Sequence, residues 1–236
     1  MKVATYMNNI VITVPPQAKG KDILKILSQT TSGRVIVMDQ EPVGIISTRD
    51  LVNRYSKGEN IYELRAEDFM TKEITTANPE NNINEVLRLM LHKGIGSVLV
   101  MEGGIISGIF TERDLIKAMA KTEFSGIVDS IMTSKVITIP PHSSLMEAAK
   151  LMTKHSIRRL PIIDKHNLVG ILTASDIVKS LAKGIEGVEA IKAGTKNPWF
   201  VKRLDPIYKV IRFMNEKRIG CVPVVEDNLV GIVRET

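Results

Sequence analysis

Four stretches of the chain repeat one phrase at nearly constant intervals, and no other property of the sequence narrows the possible folds as far. The phrase reads Gly44-Ile-Ile-Ser-Thr-Arg-Asp50, Gly108-Ile-Phe-Thr-Glu-Arg-Asp114, Gly170-Ile-Leu-Thr-Ala-Ser-Asp176 and Gly231-Ile-Val-Arg-Glu-Thr236, with glycines 64, 62 and 61 residues apart. A second register precedes it, in Tyr6-Met7-Asn8, Phe69-Met70-Thr71 and Ile131-Met132-Thr133. Six residues after each Met stands a threonine (Thr13, Thr76, Thr138), three further a proline (Pro16, Pro79, Pro141), and eleven further Leu27, Met90 or Met152. Gly194, Phe200, Arg203 and Met214 keep these offsets in a fourth copy with different letters. Self-similarity at fixed spacing means several copies of one supersecondary unit.

Each copy predicts β-α-β-β-α, an α/β (α+β) fold. A β-branched run opens it (Ile10 to Val14; Val136 to Ile139). An amphipathic helix follows, with Asn81, Ser143 and Asp205 at the expected N-cap. In the third copy its apolar face is Leu145, Ala148, Ala149, Leu151 and Met152. Two short strands then form a hairpin through Gly103-Gly104 or His166-Asn167. The Ser/Thr-x-x-Asp phrase starts the second helix. Apolar residues make up 44% of the chain and aromatics 4%, so aliphatic packing must fill the core. Units of this size need a neighbour to cover an open face. The expected pairs are residues 1–122 (units 5–60 and 66–122) and 126–236 (units 128–184 and 190–236). The fourth unit lacks its last helix.

Several classes of function are excluded or disfavoured. A single cysteine, Cys221, rules out an internal disulfide and a multi-cysteine metal site, and predicts a small buried hydrophobe. The four histidines show no ligand spacing, so no metal is expected. No apolar run is long enough for a membrane span, and no signal peptide is visible, which fits a cytoplasmic protein. The net charge of +6 suits anionic ligands, but without a basic run nucleic acid is an unlikely partner. No Walker A or dinucleotide-binding glycine motif occurs.

The paired strands followed by Gly-h-h-Thr-x-x-Asp, repeated in tandem over residues 5–236, resemble the CBS (cystathionine β-synthase) domain. Two such units form a Bateman module, and the chain resembles two modules in series, each a pair packed about a pseudo-twofold axis. The resemblance implies a stand-alone regulatory protein rather than an enzyme. It would need no cofactor and would bind AMP, ADP, ATP or S-adenosylmethionine in clefts between paired units. It would control an unidentified partner protein and form a homo-oligomer. Four units account for the chain, so no inosine monophosphate dehydrogenase barrel is expected.

The phrase can meet such ligands. A carboxylate can accept both hydroxyls of a ribose, which nominates Asp50, Asp114 and Asp176. Hydroxyls at a helix start suit phosphate, which nominates Ser47, Thr111 and Thr173. Gly44, Gly108 and Gly170 remove a side chain where the strand meets the cleft. The resemblance places Thr13, Thr76 and Thr138 around the adenine and Arg158 on phosphate. Arg34, Arg49, Arg113 and Arg234 are further phosphate candidates. The same Ser/Thr-x-x-Asp letters equally describe a capping box. Trp199-Phe200, in the divergent copy, would either cover an adenine or seal the groove between repeats.

Overall fold

The computed structural model describes residues 1–235; Thr236, the last letter of the fourth phrase, lies outside them. The first unit holds β1 (Thr13–Val14), α1 (Gly20–Gln29), β2 (Arg34–Asp39), β3 (Glu41–Ser47) and α2 (Thr48–Ser56). After a short α3 (Ala66–Phe69), the second unit repeats the order as β4 (Thr76–Ala77), α4 (Ile83–Lys93), β5 (Ser97–Glu102), β6 (Ile105–Thr111) and α5 (Glu112–Met119). The third contributes α6 (Leu145–Lys154), β7 (Arg159–Asp164), β8 (Asn167–Thr173) and α7 (Ala174–Ala182). The fourth follows α8 (Ala190–Ala193) with β9 (Thr195–Lys196), α9 (Ile207–Lys217), β10 (Cys221–Val225) and β11 (Leu229–Arg234). Each hairpin is antiparallel and shifts register at the same place, at Val37/Met38, Val100/Met101, Ile162/Ile163 and Val224/Val225.

Three local expectations need correction. The opening strands shrink to two residues in the first two units, and in the third only Ile139 bridges to Ile162. Prolines end these runs, because they bring no N–H to the ladder. The helix caps fall one residue later, on Asn82, Ser144 and Pro206. Asn81 and Asp205 instead accept from the backbone N–H of Asn78 and Lys202 at 2.7 Å, closing the preceding turn. Ser144 forms a capping box with Glu147. The third hairpin turns at Lys165-His166, with Lys165 at φ 56°, and Asn167 already belongs to β8.

The two repeat registers meet across units. A Cβ on Gly44 would lie 2.7 Å from Met70 Cγ, one on Gly108 3.0 Å from Met7 Sδ, and one on Gly231 2.6 Å from Met132 Sδ. Each methionine therefore fills the space its partner's glycine leaves. The residue after each Met then bridges to the residue after the glycine: Thr71 to Ile45, Asn8 to Ile109, Thr133 to Ile232. The glycines read as room for a ligand are room for the partner unit. In the fourth copy Gly194 replaces the Met, and β9 pairs along β8 instead (Ile171 with Thr195, Gly170 with Lys196). Gly108→Ala is expected to cost more stability than Gly44→Ala, within about 1–3 kcal/mol for overpacking. The Gly108 Cβ would sit 2.7 Å from the Asn8 carbonyl, a backbone atom, whereas the Gly44 Cβ meets side-chain atoms of Met70, the nearest to the backbone being Cβ at 2.8 Å. Urea unfolding of both variants checks the order.

Helices make the other contacts. One core joins the first and third units, through Leu24, Leu51, Val52, Ala148, Ile177 and Leu181 among others. Thr153 of α6 donates to Asn53 and is within 3.0 Å of Ser56 on α2. The second and fourth units meet where Ile116 of α5 packs with Val210, Ile211 and Met214 of α9. Contacts thus run from unit one to two, two to four, four to three and three back to one. On this ring the start of α5 comes within reach of the third unit, where Arg158 pairs with Glu112.

Candidate functional site

The capping boxes form. Ser47, Thr111 and Thr173 stand in extended conformation at the N-caps of α2, α5 and α7. One oxygen, Oδ2, of Asp50, Asp114 and Asp176 accepts the cap N–H at 2.7, 2.9 and 2.9 Å. The same oxygen accepts the cap hydroxyl at 2.7, 2.7 and 2.6 Å. What distinguishes the three is Oδ1. At Asp114 it accepts from Lys117 Nζ at 2.6 Å, in a side chain that is 4% exposed. At Asp50 and Asp176 it has no partner among the described residues. A cap and a ligand acceptor can therefore share Asp50 or Asp176, while both oxygens of Asp114 are already engaged.

Asp50 opens on a cleft of about 140 Å³ between the first and second units. Ser47, Thr48 and Arg49 line it from the start of α2, Glu73 to Thr75 from the segment before β4, and Gly94 to Ser97 from the turn before β5. Two more arginines reach it, Arg34 from β2 and Arg158 from the third unit. Arg34 Nε donates to Ser97 Oγ at 3.2 Å and Nη1 to the Ser32 carbonyl at 3.1 Å. Arg34 and Ser97 start equivalent strands, so they meet where the two units pair. Gly96 makes the approach possible: a Cβ there would sit 2.8 Å from the Arg34 guanidinium and 3.0 Å from the Glu112 carboxylate.

Three guanidiniums converge on this cleft, whose lining also holds the carboxylates of Asp50 and Glu73. Glu112 pairs with Arg158 at 2.6 Å, both side chains nearly buried. Burial, then the nearby Arg158 charge, pushes Arg34 down to about 10. The same two causes lower Arg49. Glu112 and Asp50 act in the opposite direction on both groups, and an anion entering the cleft would add a further negative partner.

Several nominated residues lie elsewhere or play another part. Thr13, Thr76 and Thr138 are exposed, and Thr75 lines the cleft instead of Thr76. Successive residues of an extended segment face opposite sides, which accounts for the offset. Arg158 serves the cleft of the first pair, not its own phrase at Thr173, because the ring closes units one, two and three together. Arg113 donates to the carbonyl of Arg218, the left-handed cap of α9, tying the second unit to the fourth. Arg234 donates to Thr133 Oγ1 at 3.3 Å, and its buried Nε has no partner among the described residues. Glu112 was missed. Its signal was positional: Glu112 follows the cap residue Thr111, Glu235 follows Arg234 at the equivalent place, and each pairs with an arginine of the third unit, Arg158 and Arg159.

Cys221 begins β10 beside Arg159 and is buried. Burial, partly offset by the Arg159 charge, pushes its thiol up to about 11. Only the thiolate reacts appreciably. In native protein at pH 8 the thiol is expected to resist iodoacetamide, and in urea to react fully. Equal rates in the two states would contradict this environment.

Comparison with known proteins places the chain. The CBS domain profile matches residues 3–57, 66–121, 128–183 and 188–236. Protein MJ1225 of Methanocaldococcus jannaschii is 26% identical over 270 residues, covering all of this chain and 95% of that one. Its crystal structure superposes with a TM-score of 0.88 at 24% identity, over the whole chain and 97% of the other. A conserved protein of Pyrococcus horikoshii gives a TM-score of 0.67 at 21% identity, over 100% and 96% of the two chains. Inosine-5'-monophosphate dehydrogenase of Korarchaeum cryptofilum is 36% identical over 114 residues, 48% of this chain but only 23% of the enzyme.

Proposed function

The chain belongs to the CBS domain family, and from that footing we propose that it is a regulatory protein that binds an adenosine-containing ligand and acts through a partner. The ligand is AMP, ADP, ATP or S-adenosylmethionine, held between the first and second units, which act as one Bateman module. The observation that carries this reading is the cleft where the free oxygen of Asp50 meets three guanidiniums. A ribose diol would donate to Asp50 Oδ1 without breaking the cap. Phosphate would lie among Arg34, Arg49 and Arg158, aided by the N–H groups that open α2. The Ile74 and Thr75 side would take the base.

The third unit gives the ligand leverage. Arg158 is held by Glu112 until an anion competes for it. Binding between units one and two would therefore change what unit three touches. Such control requires that the ligand favour one of two states, and the Arg158–Glu112 contact is the element it biases. Self-association and a cytoplasmic location belong to the same proposal. No helix among the described residues is long and apolar enough to cross a membrane.

Titration calorimetry with AMP, ADP, ATP and S-adenosylmethionine tests the reading. At least one should give saturable heat, with the affinity of phosphorylated ligands falling as salt rises. A rival reading, that the phrases are helix caps alone, is favoured by the three completed capping boxes. It predicts no heat from any of the four.

A further inference from the structure

Arg34 and Arg159 open β2 and β7 at equivalent places, each opposite the cap residue of its own unit, Ser47 or Thr173. Glu112 and Glu235 hold equivalent places in the second and fourth units, four residues after Gly108 and Gly231. Before the strand, units one, two and four carry Gly33, Gly96 and Gly220, and only the third carries a side chain, Arg158. In the second pair these letters close on themselves. A Cβ on Gly220 would meet both the Arg159 guanidinium and the Glu235 carboxylate, and the two groups are hydrogen-bonded.

The first pair has the same crossing without the bond. A Cβ on Gly96 would lie 2.8 Å from Arg34 Nη2 and 3.0 Å from Glu112 Oε1, so the two groups flank one point. Glu112 nevertheless accepts from Arg158 Nη2 at 2.6 Å, and Arg34 forms no ion pair among the described residues. The arginine added in unit three has captured the carboxylate that the repeat pattern assigns to Arg34. The two strand-opening arginines register the difference. Burial, then the Arg158 charge, lowers Arg34. Burial acts on Arg159 as well, but Cys221 and Glu235 outweigh it and hold that guanidinium above its ordinary value.

We propose that Glu112 is a transferable counter-charge, resting on Arg158 in the ligand-free ring and on Arg34 once an anion in the cleft engages Arg158. The second arrangement reproduces the Arg159–Glu235 pair. It frees the third unit's arginine from the second unit without stranding a buried carboxylate, which would be costly. It also supplies the second state that ligand control requires. Its use by a ligand rests on the reading of the cleft given above, but the exchange itself is tested without one.

The experiment melts the ligand-free full chain as Arg158→Met, Arg34→Met, their double variant and Glu112→Ala. Arg158→Met removes the charge and keeps an aliphatic stem, so Glu112 should pass to Arg34. Its melting temperature should stay within about 4 °C of wild type, the scale of one kcal/mol in a chain of this length. The double variant leaves Glu112 with neither arginine, and its loss should exceed the two single losses together by about 6–20 °C. In ligand-free crystals of Arg158→Met, Glu112 should lie on Arg34 across Gly96, as Glu235 lies on Arg159 across Gly220. The inference is overturned if Arg158→Met falls as far as Glu112→Ala, if the single losses simply add in the double variant, or if Glu112 turns away from Arg34 in those crystals. None of these results bears on the calorimetric heats, and an absence of heat from all four adenosine ligands would leave the exchange standing.

Discussion

Asp50→Ala should weaken adenosine-ligand binding about a hundredfold, while Asp114→Ala leaves the affinity within a small factor of wild type. Hydrogen bonds to a charged group are worth about 1.5–3 kcal/mol each. Loss of two from a ribose diol, at about 1.4 kcal/mol per tenfold, gives that scale. The contrast with Asp114 rests on geometry. Both its oxygens are engaged, Oδ2 by Thr111 and Oδ1 by Lys117, whereas Asp50 keeps Oδ1 open on the cleft. Both substitutions also remove a capping interaction, typically worth about 0.5–2 kcal/mol. Melting curves therefore accompany the calorimetry, so that loss of fold is not mistaken for loss of ligand. Equal affinity in Asp50→Ala and wild type would make Asp50 a cap and nothing more.

Glu112→Ala is expected to show the largest stability loss, together with the largest ligand-induced recovery. Glu112 is nearly buried, pairs with Arg158 at 2.6 Å and lies close to the guanidinium of Arg34. Its removal leaves Arg158 buried without its carboxylate, beside the buried guanidinium of Arg34, on which the Arg158 charge already acts. Breaking one side of a buried pair typically costs about 3–5 kcal/mol. In a chain of this length each kcal/mol shifts Tm by about 2–4 °C, which makes the expected drop about 6–20 °C. A di- or triphosphate entering the cleft would replace the missing charge, so ADP or ATP should raise Tm more in Glu112→Ala than in wild type. A drop of under about 2 °C would mean that the pair is solvated and contributes little.

The architecture was legible because the repeat is written in the spacing of glycine, methionine and threonine, and each letter answers a packing need. The Met and Gly registers could be aligned from sequence. Their meaning could not, because Met7 meets Gly108 and Met70 meets Gly44 only once the units fold against each other. The capping boxes were visible as letters, since a cap is local. Strand alternation hid the cleft-lining residue, and Thr75 rather than Thr76 faces it. Arg158 was nominated from its place in the third unit, yet it lines the cleft of the first pair. Long-range closure of the ring decides that contact, and no local pattern encodes it. Glu112 escaped notice because an exposed glutamate in the first turn of a helix is ordinary. In the fold it is buried against Gly96 and pairs with an arginine of the third unit.

A crystal structure of the chain grown with ATP tests the central claim most directly. The account predicts density in the cleft between the first and second units, with ribose hydroxyls on Asp50 Oδ1, phosphates among Arg34, Arg49 and Arg158, and Glu112 released from Arg158. Crystals with that cleft empty at saturating ATP, or with the nucleotide bound away from Asp50, would contradict it.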